Sequence, residues 1–200
     1  MGYVYALVAS LLFGLNGSTT KVIVEAGLTP AQLTLARVTI MAVLAGAALL
    51  LTNRAAFRIG GRKLVAVAIL GVAGVAFTQW FYAVAISLLP VGIALMLEYS
   101  GVLLVALAAR FLFKERVKAR LWWAIAAVLV GMAVVAQVWS SPLSALGVVA
   151  GLLAALCLAV YFLLGERQVA SASPLAVSFW SMSFASAFWA FFSGWWLADP

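Results

Sequence analysis

The chain has 200 residues, of which 68% are hydrophobic and 8% charged, and its mean hydropathy of +1.22 excludes a water-soluble globule, which at this size still needs a largely polar exterior. The formal net charge of +7 would suggest nucleic acid in a soluble protein, but the basic residues fall in short loops between apolar runs, where a Lys/Arg excess marks the cytoplasmic side of a membrane; no nucleic-acid partner is expected. Histidine is absent, Cys157 is the single cysteine, and the acids Glu25, Glu98, Glu115, Glu166 and Asp199 are scattered, so no disulfide, metal site, cofactor site or nucleophile–base pair is expected, and an enzyme is disfavoured.

Residues 64–97, 121–165 and 168–198 contain no Asp, Glu, Lys or Arg. Each run exceeds the ~20 apolar residues that one bilayer crossing needs, so each folds back on itself. Proline, glycine, serine and charge clusters divide the chain into seven predicted helices at 3–24, 31–52, 64–88, 91–113, 121–139, 145–165 and 175–197. The predicted fold class is all-α, a polytopic membrane bundle of seven transmembrane helices.

The first helix lacks a basic leader and a following A-x-A site, so it reads as a retained span and not a cleaved signal. Its second half is polar, with Asn16, Thr19 and Thr20 spaced to share one face. Lys21 and Arg37, near the outer ends of helices one and two, are placed to snorkel to the interface or to meet Glu25. The cluster Arg54, Arg58, Arg62 and Lys63 precedes helix three, which carries Gln79, Trp80 and Tyr82.

After Leu89-Pro90, helix four carries Glu98 at a depth of about 12 Å, taking ~1.5 Å per residue from the proline, close to the midplane of a ~30 Å hydrocarbon layer. A carboxyl there stays protonated, pairs with a cation or lines a wet cavity. All three options describe how a carrier holds a proton or an ammonium group, and Glu98 is the proton-coupling candidate. Asn16, Gln79, Tyr82, Trp80 and Tyr99 lie at neighbouring depths and are the candidate substrate-binding residues beside it. Taken singly, such polar side chains also serve to join helices, which is the structural alternative for each.

A second basic cluster, from Arg110 to Arg120, leads into helix five, and Ser140-Ser141-Pro142 ends it. Helix six begins with the Gly147/Gly151 pair, read as a close-packing GxxxG, and holds Tyr161, a weaker cavity candidate. Helix seven follows Ser173-Pro174. With both basic clusters inside, the N-terminus is cytoplasmic, Trp122 and Trp123 lie at the inner boundary, and Trp139, Trp195 and Trp196 lie at the outer one.

Residues 6–14 resemble residues 151–159, and Thr29-Pro30 recurs as Ser173-Pro174 at nearly the same spacing. Helix six therefore restarts the pattern of helix one after five spans, and an odd number of crossings inverts the second copy, as in many secondary transporters. Residues 1–142 are read as the first five-helix repeat and 143–200 as the first two helices of an inverted second one.

Thr29-Pro30 followed by Arg37, the stretch Leu89-Pro90-Val91-Gly92-Ile93-Ala94-Leu95, Lys114-Glu115-Arg116 and Gly131 together resemble the EamA family of the drug/metabolite transporter superfamily. The region around Glu98-Tyr99-Ser100-Gly101 is most similar to its threonine/homoserine exporter branch, although Val102 stands where that branch carries a proline. The resemblance implies a bacterial inner-membrane carrier of two inverted five-helix repeats, exporting amino acids or related metabolites by alternating access. Against that pattern the second repeat lacks three helices, whose place further chain or a homodimer partner would have to take. A non-transporting helical scaffold that assembles with a partner protein is the alternative function.

Overall fold

The computed structural model describes residues 2–115, 118–137, 139, 143–170 and 172–193, and among them the regular structure is entirely helical. Seven long helices follow one another: α1 Gly2–Glu25, α2 Pro30–Thr52, α3 Gly61–Leu88, α4 Val91–Phe111, α5 Ala119–Ala136, α6 Ala145–Val169 and α7 Pro174–Phe192, with a 3₁₀ turn at Arg54–Phe57. Six of them, α2 to α7, are long and apolar enough to cross a membrane.

The ends have local causes. Thr29 and Gln32 form a reciprocal capping box, with Thr29 Oγ1 accepting from the Gln32 amide at 3.2 Å and Gln32 Oε1 accepting from the Thr29 amide at 3.1 Å, and Pro30 fills the first turn, where no amide is needed. Helix α5 stops at Ala136, short of the predicted 139, because Gln137 adopts a left-handed conformation at φ 47° and its amide returns to the Ala133 and Val134 carbonyls. Helix α4 stops at Phe111, two residues before the predicted end, and the chain turns through Lys114 at φ 56°. Helix α6 continues to Val169, four residues past expectation, since Glu166, Arg167 and Gln168 are good helix formers at an exposed end. The break at Ser140-Ser141-Pro142 and the boundary residues Trp195 and Trp196 lie outside the described residues.

Helix α3 contains a feature that apolar periodicity does not announce, a π-helical segment over Leu70–Ala76. It is wedged between α6 and α7. A methyl group at Gly71 would run into the Ser181 carbonyl oxygen of α7, and one at Gly74 would lie 3.1 Å from Tyr161 Cα of α6. The Trp189 indole donates to the Ala76 carbonyl at 3.3 Å, closing the α7 side of the wedge.

Helix α6 is the central post, packed on α3 and α4, while α2 pairs with α7 and α5 leans on α4. Small residues set the α4–α6 spacing: a Cβ at Gly101 would sit 2.6 Å from the Ala155 carbonyl oxygen, and one at Gly151 would sit 2.8 Å from Leu97 Cβ. Helix α4 runs unbroken through Glu98, Gly101 and Val102. Tyr82, Ile86, Leu89, Ile93 and Ala154 make one buried cluster, and Val38, Val75, Ala185 and Trp189 make another. The outside is apolar as well, with Leu51 87% and Val135 84% exposed, which is stable only in lipid.

Candidate functional site

Between α1, α3, α4, α6 and α7 lies a cavity of about 160 Å³, lined by Asn16, Gly74, Val75, Thr78, Gln79, Tyr82, Glu98, Leu158, Tyr161 and Met182. Helix α3 supplies half of this lining because residues 75, 78, 79 and 82 recur at intervals of three and four and share one face. The π segment ends at Ala76, one residue past Val75, so the close packing of α3 on α6 fixes where this face begins. Glu98 comes from α4, three residues before the Gly101 contact that holds α4 against α6.

Three side chains of the lining are nearly inaccessible, Tyr82 at 1%, Glu98 at 5% and Thr78 at 7% exposure. Among the described residues, the Tyr82 hydroxyl, Glu98 Oε2 and Thr78 Oγ1 have no hydrogen-bond partner. Buried polar atoms are nearly always paired, and leaving one unpaired costs about 1–3 kcal/mol. Three residues with such atoms line one cavity, and together they can donate to and accept from a small polar guest. The volume falls below the ~300 Å³ at which pockets for drug-sized ligands begin, so the guest is small.

A second layer steadies this lining. The Arg37 guanidinium donates from Nη2 to Thr20 Oγ1 at 2.7 Å and from Nη1 to Gln79 Oε1 at 3.3 Å. Thr20 Oγ1 in turn donates to the Asn16 carbonyl at 2.6 Å. Arg37 therefore braces the two polar flanks of the cavity, and its charge acts on Glu98 and Tyr82 without a direct ion pair to the carboxyl.

Of the residues singled out in the sequence, Glu98, Asn16, Gln79, Tyr82 and Tyr161 are brought to this one cavity. Trp80 and Tyr99 are not in its lining. Trp80 turns to the opposite side of α3 and packs on Trp189 with ring centroids 5.6 Å apart; Tyr99 is within electrostatic reach of Glu98 but half-buried outside the cavity. Thr19, on the helix face of Asn16 and Thr20, is exposed and bonded to the Leu15 carbonyl at 2.8 Å, outside the cavity lining. Glu25 pairs with Lys21 at 3.7 Å, and Lys21 also donates to the Ile86 carbonyl at 3.0 Å, so Arg37 neither meets Glu25 nor snorkels outward. Thr78 and the apolar wall of Val75, Leu158 and Met182 went unnoticed in the sequence, although the spacing of Thr78 to Tyr82 was a usable signal. Among the described residues, no cluster of His, Cys, Asp or Glu could hold a metal.

Apolar helices enclosing a small polar cavity with a buried carboxyl define a multi-pass membrane protein. The sequence profile of the EamA-like transporter family matches residues 1–137, more than half of the chain, and the protein belongs to that family of membrane transporters. No curated protein and no solved structure matches the chain.

Proposed function

We propose that this transporter exports an amino acid or closely related metabolite, of threonine or homoserine type, across a bacterial inner membrane by alternating access. Glu98 holds either a proton or the substrate's ammonium group, and Thr78, Tyr82, Asn16, Gln79 and Tyr161 complete the binding surface. The supporting observation is that three residues lining one cavity, Thr78, Tyr82 and Glu98, each carry a buried polar atom without a hydrogen-bond partner among the described residues. A proton on Glu98 or an ammonium beside it removes the cost of a bare carboxylate in a medium of low dielectric constant.

Two repeats related by inversion would move against one another around this cavity, residues 1–142 forming the first and 143–200 beginning the second. The family match ends at Gln137, the residue that closes α5, which favours that division. The basic loops after α2 and α4 favour a cytoplasmic N-terminus.

Efflux from proteoliposomes holding the full-length protein tests this reading. Labelled threonine and homoserine should leave, and their deaminated 2-hydroxy analogues should leave at least about tenfold more slowly, the size of one lost charge-assisted hydrogen bond. Equal flux of both sets would remove the ammonium assignment. No flux of any of them, with a stoichiometric protein partner in the native membrane, would favour the scaffold reading instead.

A further inference from the structure

A second concavity lies far from the first in character, at the end of the bundle where α2 and α6 finish and α3 and α7 begin. Its volume is about 820 Å³, and its lining includes Arg58, Arg62, Lys63, Gly60, Gly61 and Ser173 but no acidic side chain. We propose that this crevice binds the phosphate headgroup of an anionic membrane phospholipid.

The crevice is built and not merely a patch of surface charge. The 3₁₀ turn Arg54–Phe57 that carries Arg58 is fastened to α7, with the Trp180 indole donating to the Phe57 carbonyl at 3.3 Å and the Phe57 and Phe179 rings meeting edge to face at 5.0 Å. That fastening holds Arg58 above the start of α7. Arg62 and Lys63 arrive from the first turn of α3, on the other wall. Arg58 and Arg62, two cations lining a common space, repel one another unless an anion occupies it.

The backbone adds to the attraction. Helices α3 and α7 both start at this crevice, capped by Gly60 and Ser173 without any side-chain hydrogen bond and with no acid in either first turn. The Gly60 carbonyl accepts from the Lys63 and Leu64 amides, and the Ser173 carbonyl accepts from the Val177 amide. The Gly61 and Arg62 amides of α3 and the Leu175 and Ala176 amides of α7 therefore precede the first bonds of their own helices, Pro174 having no amide to offer, and Gly61, Arg62 and Ala176 line the crevice.

The surroundings favour a lipid phosphate over a soluble one. Arg62, Val65 and Ile69 fall at intervals of three and four on one face of α3, and Val65 is 62% and Ile69 53% exposed. A cation therefore stands directly above an apolar strip on a helix that crosses the membrane. Leu51, 87% exposed at the end of α2, and Leu175 at the start of α7 are exposed apolar side chains on the other elements that meet at this end of the bundle. A phosphate group above with acyl chains below matches this order. Basic pockets between membrane helices hold anionic headgroups on the same grounds. The inference does not depend on the central cavity or on any substrate.

The test is lipid retention by the full-length protein in detergent, followed by native mass spectrometry and by thermal stability. Phosphatidylglycerol, phosphatidylcholine of the same acyl chains, and inorganic phosphate are the probes. Wild type should retain one phosphatidylglycerol per chain and gain thermal stability from it, and phosphatidylcholine should do neither. At about fivefold per cation, R58A/R62A should weaken phosphatidylglycerol about 25-fold, while R110A/R120A, which removes two charges from the other basic cluster, stays within about twofold of wild type. R58K/R62K should recover most of the affinity. If R58A/R62A does not yield folded protein, R62A alone should show about a fivefold loss. Equal retention of the two lipids, equal loss in R110A/R120A, or displacement of phosphatidylglycerol by inorganic phosphate at matched concentration would overturn the proposal, the last by making the crevice a soluble-anion site.

Discussion

Tyr82 is 1% exposed and its phenol hydroxyl has no hydrogen-bond partner among the described residues, a position that costs stability unless something outside the chain completes it. Gly17 of α1 makes room for it, since a methyl there would lie 3.0 Å from the hydroxyl oxygen and 2.9 Å from Val91 Cγ1. Tyr82→Phe removes an orphan and leaves the ring packed, so the melting temperature should hold or rise slightly, by an amount set by the ~1–3 kcal/mol cost of an unpaired group. Substrate flux should fall by about fivefold or more, the loss of roughly one neutral hydrogen bond to the guest. A lower melting temperature with unchanged flux would assign the hydroxyl a structural role. Glu98 was legible as a residue of interest because it is the one acid within a long uncharged region, and a polar group in an apolar context stands out in any sequence. The role of Arg37 was not legible, because its guanidinium turns inward to Thr20 and Gln79 on two other helices, and side-chain direction is decided by neighbours that are remote in sequence.

The helices themselves were largely legible, since hydropathy and charge mark where lipid ends and water begins. Their ends shift where one backbone conformation decides, as at Gln137 and Lys114, and that choice leaves little trace in composition. The π segment of α3 is the clearest case of something unseen. Widening one turn does not alter which residues are apolar, and only the glycines at 71 and 74 hint at close neighbours on two sides. Gly71→Ala tests how much the segment depends on that closeness. Its methyl would meet the Ser181 carbonyl oxygen, a backbone atom that cannot rotate away, so α3 and α7 must separate. The expected cost is about 1–3 kcal/mol, typical of overpacking, read as a lower melting temperature in detergent. An unchanged melting temperature would show that α3 and α7 do not approach as closely as Gly71 indicates.

For the molecule as a whole, the uncharged runs disclosed how many helices there are and in what order, while their partners in space stayed hidden. The pairing of α2 with α7 and the central place of α6 arise from small residues meeting across long separations in sequence, which one chain read alone does not reveal. That arrangement is what gathers Asn16, Tyr82, Glu98 and Tyr161 from four helices into one cavity. The central claim is that Glu98 is the group through which this cavity works. Glu98→Gln keeps the shape of the side chain and removes both its charge and its ability to take up a proton, so it tests that claim most directly in proteoliposomes carrying the full-length protein. The expected result is a fall in threonine or homoserine flux of about 10–100-fold, the range for losing a charge-assisted hydrogen bond, with the remaining flux insensitive to pH. Flux and pH dependence both equal to those of the unaltered protein would contradict it.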